Sequence, residues 1–288
     1  MGNTFLDATA VHRVADGRYA SDIDPLWNLR PLPQGGLVTA IAVRSMQEQL
    51  ADPAQRLRTL HTAFAAQVAS GPVEVDVEVL RRGRSMSHLR GEVRNEGAAR
   101  GHLTTAIFGA TRAGFDFTDL EPPADRPHPD GCPSFRDPLP EGVEGFEPMP
   151  FWEQVIEGRN VTGHPPWEEY VPERAERVSW YRFDDPPRLD DGTIDPLSTI
   201  VLVDIMPGAV GEKVGRVDRN WFAPSVDLTV HILGENTSPW LLAHNRARFA
   251  GDGYASADMA LWDCGADCDE EPRLVAYATQ LFLFSFMS

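Results

Sequence analysis

The chain is 288 residues long, enough for one large domain or two of ordinary size. Its 42% hydrophobic and 24% charged residues are those of an ordinary soluble globular protein. The net charge of -17, with Lys213 the sole lysine, argues against general nucleic-acid binding, which needs a basic face; a small anion held by a local arginine cluster stays open.

Three cysteines, Cys132, Cys264 and Cys268, cannot all pair within the chain, and the Cys264/Cys268 spacing lacks a second set of ligands for zinc. Such usage suits a reducing cytosol. Met1 to Asp7 has no basic region leading into an apolar core, so no signal peptide is expected. The most apolar stretch, Leu274 to Met287, is too short to span a bilayer and carries Gln280. The expectation is a soluble, cytoplasmic protein with no membrane partner.

Taken in order, Phe5 to Tyr19 reads as a short strand or hairpin turning at Asp16-Gly17. Gln34-Gly35-Gly36 opens a helix in which Leu37, Ala40, Ile41, Val43 and Met46 recur at near-helical spacing as far as Leu50. The paired glycines would let another backbone, or a ligand, approach the free amides of its first turn. Strands follow, first over Leu57 to Val68. After Ser70-Gly71-Pro72, Val73, Val75, Val77 and Val79 alternate with acidic residues, the pattern of an antiparallel strand with one wet face. Arg82-Gly83-Arg84 turns into a strand over Ser85 to Arg94, and Asn95-Glu96-Gly97 into another over His102 to Thr111. One helix wrapped by a curved antiparallel sheet buries both, giving a first unit over residues 1–115 of α+β class.

From about Phe115 to Glu176 proline, glycine and acidic residues dominate without clear periodicity, as in an inter-domain connection (residues 116–176). Aromatics at Phe146, Phe151, Trp152, Trp167 and Tyr170 suggest that parts of it pack on a domain.

Residues 177–288 repeat the first unit. Pro33 and its helix match Pro196 and the apolar stretch Leu197 to Val210, and Thr59-Leu60-His61 matches Ser225-Val226-Asp227. Gly83 matches Gly253, and Leu103 to Phe108 match Tyr277 to Phe282. Within the second copy Asp204, Ser225 and Gln280 interrupt apolar surroundings, where an acid, a hydroxyl and an amide must find partners or lose free energy. In this alignment Gln280 faces Ala106 and Asp204 faces a position near Ile41; only the hydroxyl has a polar counterpart, Thr59. One active site would produce that asymmetry; packing alone would not.

With Gly35-Gly36, Leu60-His61-Thr62-Ala63-Phe64, Arg82-Gly83-Arg84-Ser85, Asp204 with Pro207-Gly208-Ala209, Pro224-Ser225-Val226-Asp227 and Val275-Ala276 leading to Gln280, the chain resembles the acyl-CoA thioesterase II family, a double hotdog. The resemblance implies hydrolysis of an acyl-CoA thioester by Asp204, Ser225 and Gln280, with no cofactor and no metal. The Pro-rich connection departs from the family, as does Ala65-Ala66-Gln67-Val68, where an Arg-Pro-Gly turn is usual.

In chemical terms Asp204 would act as general base, with burial raising its pKa, while Ser225 and Gln280 hold the water. The amide of Gly35 or Gly36 is a candidate oxyanion donor. Arg82 and Arg84 could meet CoA phosphates and His61 could serve as a base, although an arginine turn is usually a solvated one and a strand histidine usually structural. No Gly-x-Ser-x-Gly elbow or glycine-rich phosphate loop occurs. Two alternatives stay open: a hotdog hydratase or dehydratase, which would want a histidine beside Asp204, and a non-catalytic acyl-CoA binder. Hotdog sheets commonly pair along exposed edges, so a homo-oligomer is compatible with the pattern.

Overall fold

The computed structural model describes residues 4–143, 147–165, 167–215 and 221–286. Met1 to Asn3, Phe146 and Met287 lie outside the described residues. The chain opens with a short helix α1 (Thr4–Ala8) and the hairpin β1 (His12–Ala15) and β2 (Arg18–Ile23), which turns at Asp16-Gly17 with Gly17 at φ +66°. The hairpin is as expected, but Phe5 belongs to the helix. There its ring meets Phe183 at 5.3 Å and Trp27 at 6.2 Å, a wedge that depends on residues far off in sequence.

The long helix α2 (Gly35–Leu50) follows, then β3 (Arg56–Phe64), β4 (Gly71–Arg82), β5 (Met86–Asn95) and β6 (His102–Gly109). Every residue of α2 from Gly36 to Val43 is buried, as for a helix with apolar contacts all round. In the second half come α3 (Pro150–Gln154), β7 (Ile156–Thr162), β8 (Glu176–Phe183), α4 (Ser198–Val203), α5 (Gly208–Val214), β9 (Trp221–Phe222), β10 (Ser225–Ile232), β11 (Leu241–Gly251), β12 (Tyr254–Asp263), β13 (Arg273–Leu283) and β14 (Ser285–Phe286).

Twelve strands form one sheet in the order β1-β2-β4-β5-β6-β3-β10-β13-β12-β11-β8-β7. The order is a palindrome: each strand of one half has a partner at the same distance from the central β3/β10 seam. There Leu60 pairs with Val230 and His61 with Thr229. One hydrophobic core runs through both halves, with α2 and α4 against the inner face. A second, smaller cluster, including Trp180, Trp262 and all three cysteines, is capped by the connection, where the Trp180 indole N–H donates to the Pro127 carbonyl at 2.9 Å.

Two features differ from the sequence pattern. Strand β7 and helix α3 arise inside the Pro-rich stretch; Ile156-Glu157-Gly158 is buried at every position, so no alternation marks it. The apolar stretch Leu197 to Val210 is not one helix but two, broken between Asp204 and Pro207. Proline cannot donate to the ladder and biases its predecessor away from helix.

The bulges correct the alignment of the halves. The β3/β6 ladder slips between Leu57 and Thr59, and the β10/β13 ladder between Ser225 and Asp227. A second matching pair falls at Val79/Arg81 and Ala247/Phe249. The structural counterpart of Ser225 is therefore Leu57, not Thr59, and that of Gly83 is Gly251, not Gly253. Ala106 remains opposite Gln280. Among the described residues no helix is long and apolar enough to cross a membrane.

Candidate active site

Three elements of the second half deliver the predicted trio to one point. Asp204 is the C-cap of α4, with φ -85° and ψ 35°, rather than a residue of a helix interior. Its departure from helical geometry swings the carboxyl toward the start of α2. Ser225 opens β10 at the bulge, and Gln280 sits on the inner face of β13. The Gln280 Nε2 donates to Ser225 Oγ at 2.8 Å and to Asp204 Oδ1, and Ser225 Oγ donates to Asp204 Oδ1 at 3.3 Å. The other carboxylate oxygen, Oδ2, accepts the Gly36 N–H at 2.7 Å.

Asp204 is 7% exposed and Gln280 is 2% exposed, so the carboxyl is nearly out of water. Burial pushes its pKa from 3.8 to about 7, against the pull of hydrogen bonds from Gly36, Gln280, Ser225 and Gly35, which favour the ionised form. Among the described residues no cation pairs with it. The result is a carboxyl able to exchange a proton near neutrality.

The paired glycines admit a backbone. A Cβ at Gly36 would lie 2.5 Å from the Ile200 carbonyl oxygen and 2.9 Å from Val201 Cα; only glycine lets α2 and α4 approach so closely. A Cβ at Gly35 would lie 2.7 Å from Phe64 Cε1 and 3.0 Å from Asp204 Oδ2. The Gly36 amide, a candidate oxyanion donor by sequence, is thus engaged by the carboxylate. Phe64 forms a wall of the site, backed by the His102 ring at 4.8 Å.

The remaining predicted residues are elsewhere. His61 is exposed on the outer face of the seam, 3.0 Å from Thr229. Arg82 donates to the Leu50 carbonyl at the far end of α2 from Gly36, roughly 21 Å away at 1.5 Å per residue. Arg84, in the same turn, is exposed. A separate cavity of about 960 Å³ beside the connection, lined by His164, Tyr170 and Glu212 among others, includes none of the predicted site residues. Sequence reasoning missed Gln34, which reaches the Asp204 carbonyl; a glutamine directly before Gly35-Gly36 at the helix start, where Ser, Thr, Asp or Asn is usual, was the available signal.

A helix pair embraced by one curved sheet, with a buried acid and amide and a half-buried hydroxyl at the crossing, is a hotdog thioesterase-like arrangement. Solved structures of that fold match the whole chain. They include a conserved hot dog fold protein of unknown function from Alicyclobacillus acidocaldarius (23% identity, 100% of each chain, TM-score 0.80) and an acyl-CoA thioesterase II from Mycobacterium marinum (21%, 99% of each chain, 0.73). The tesB protein of Mycobacterium avium subspecies paratuberculosis is a third (19%, 98% of each chain, 0.70). No curated protein matches significantly. The sequence models of the acyl-CoA thioesterase N-terminal domain and C-terminal domain match residues 23–111 and 129–284. The chain belongs to the acyl-CoA thioesterase family and is a thioester hydrolase.

Proposed function

We propose that the protein hydrolyses acyl-CoA to a free acid and CoA by direct water attack, with Asp204 as the general base and Ser225 and Gln280 orienting the water. The observation that carries this reading is the buried Asp204 carboxyl accepting from the Ser225 hydroxyl and the Gln280 amide, with burial raising its pKa to about 7. Water donates a proton to Asp204 as its oxygen bonds to the thioester carbon. The tetrahedral intermediate then collapses, the C–S bond breaks, and the proton on Asp204 passes to the departing thiolate. Gln280 Oε1 is buried with no protein donor among the described residues, so it can accept from the water that Asp204 deprotonates.

The first half supplies structure rather than a second site, because Leu57 and Ala106 replace the hydroxyl and amide. For the hydratase alternative, the histidine it would need does not contact Asp204 among the described residues. Free-thiol release from acyl-CoA of chain lengths from acetyl to palmitoyl tests the reading. Turnover with at least one length, abolished in Asp204→Asn, is expected; tight binding without thiol release would favour a non-catalytic binder.

A further inference from the structure

Breaking a helix between Asp204 and Pro207 creates a problem of its own. Around the break the backbone keeps only short-range partners, the Asp204 N–H on the Val201 carbonyl at 3.3 Å and the Ala209 N–H on the Met206 carbonyl at 3.2 Å, in a region with little access to water. Two buried carboxamides add further donors there. Gln34, 2% exposed, donates through Nε2 to the Val201 carbonyl at 2.9 Å and to the Asp204 carbonyl at 3.4 Å. Asn245 of β11, 3% exposed, donates through Nδ2 to the Met206 carbonyl at 2.9 Å and to the Ile205 carbonyl at 3.4 Å. The backbone on both sides of Asp204 is therefore gripped, from the first half by Gln34 and from the second by Asn245.

Gln34 does a second thing with the same side chain. Its Oε1 accepts the Leu37 N–H at 2.8 Å, capping α2, while its Nε2 reaches α4. Because Gly36 is only two residues further on, the same group sets where the Gly36 amide meets the Asp204 carboxylate. A shorter cap residue would serve the helix as well or better; only the extra methylene lets one carboxamide satisfy both helices.

We propose that Gln34 and Asn245 are positioning residues for the catalytic base: they fix the backbone that carries Asp204, and hence the aim of its carboxyl at Gly36 and Gln280. This rests on the reading of Asp204 as the base. The groups hydrogen-bonded to that carboxyl are uncharged: the Gly35 and Gly36 amides on α2, Ser225 on β10 and Gln280 on β13. The nearby Asp227 of β10 is turned to the Leu281 N–H at 2.8 Å. The acid limb of the pH–rate profile therefore reports Asp204 and its hydrogen bonds.

The deciding variant is Gln34→Asn, which keeps an N-cap but cannot reach Val201. It is expected to lower kcat about tenfold or more with KM within roughly twofold, as for a misplaced catalytic group. It should also move the acid limb to higher pH, because a loosened Gly36 contact no longer favours the ionised carboxyl. Asn245→Leu should behave alike; thermal melting separates folded variants from collapsed ones, and if this one fails to fold Gln34→Asn decides. An unchanged kcat and acid limb in Gln34→Asn, the result of a purely capping role, overturns the proposal. Asp204→Asn measured alongside separates the two levels: full turnover there overturns the base itself, whereas an inactive Asp204→Asn beside a fully active Gln34→Asn overturns the positioning alone.

Discussion

The antiparallel crossing of α2 and α4 has two ends, and a buried aspartate sits at each. At one end Asp204 faces the Gly36 amide, Ser225 and Gln280; at the other Asp195, 2% exposed, is paired with the Arg44 guanidinium of α2 and also accepts the Leu197 N–H. The backbone problem is alike, but the partners differ in charge. The Arg44 guanidinium pairs with Asp195 and ties α2 to the start of α4. Neutral donors stabilise the Asp204 carboxylate only enough to offset part of its desolvation, leaving its pKa at about 7. Dipolar partners leave a buried acid near neutrality, as the proposed base requires, whereas a cationic partner makes it a tie between helices.

The largest expected effect breaks the catalytic end. Asp204→Asn keeps the shape but turns one acceptor oxygen into an N–H donor and removes the proposed base, so kcat should fall by about a thousandfold, within the range for a general base. Steady-state thiol release with circular dichroism as a folding control measures it. Activity retained within tenfold would remove Asp204 from the mechanism. Gln280→Ala should cost about a hundredfold and Ser225→Ala about tenfold, because each leaves the other to orient the water.

The pH dependence of activity and of stability should run in opposite directions. In the proposed mechanism hydrolysis needs the ionised carboxyl, so kcat/KM should decline as pH falls below about 7. Stability has the reverse sign: a folded-state pKa raised from 3.8 to about 7 means that this group contributes its full stability below pH 3.8 and loses it as pH rises through 7. The cost at higher pH is on the order of 4 kcal/mol. Asp204→Asn should accordingly melt higher than the wild type at pH 8 and at nearly the same temperature at pH 4. A melting difference independent of pH would show that the carboxyl does not titrate between these limits.

At the other end the expectations exchange places. Arg44→Ala strands a buried carboxylate and should destabilise by about 3 to 5 kcal/mol in chemical denaturation, while the folded enzyme turns over normally. Loss of turnover in folded protein would mean that the two ends are coupled. The smallest effect belongs to Arg84→Ala, where an exposed charge far from Asp204 should shift KM for acyl-CoA by less than about threefold. A tenfold rise would bring that turn into contact with substrate, within the chain or from a second copy.

Much of this could be read from residues alone. Alternating valines announced β4, helical spacing announced α2, and the three polar interruptions proved to be neighbours. What could not be read depends on pairings between distant segments. A bulge shifts register by one residue on one strand only, and neither strand's alternation reveals where it lies. For that reason Ser225 aligned with Thr59 by pattern but with Leu57 in the sheet, and the asymmetry between the halves extends to the hydroxyl as well.

The sequence by itself determined which groups would be costly to bury, because an acid, a hydroxyl and an amide amid apolar residues have few ways to be satisfied. It also determined that two copies of one helix-and-sheet unit share the chain. Only the tertiary structure decided that the second helix breaks at Asp204, that the glycine amides turn to the carboxylate, and that Gln34 reaches across to grip the break. Those outcomes depend on how closely α2 and α4 approach. That distance is set by the absence of a side chain at Gly36 and by the sheet around both helices, neither of which is a local property of the residues it positions.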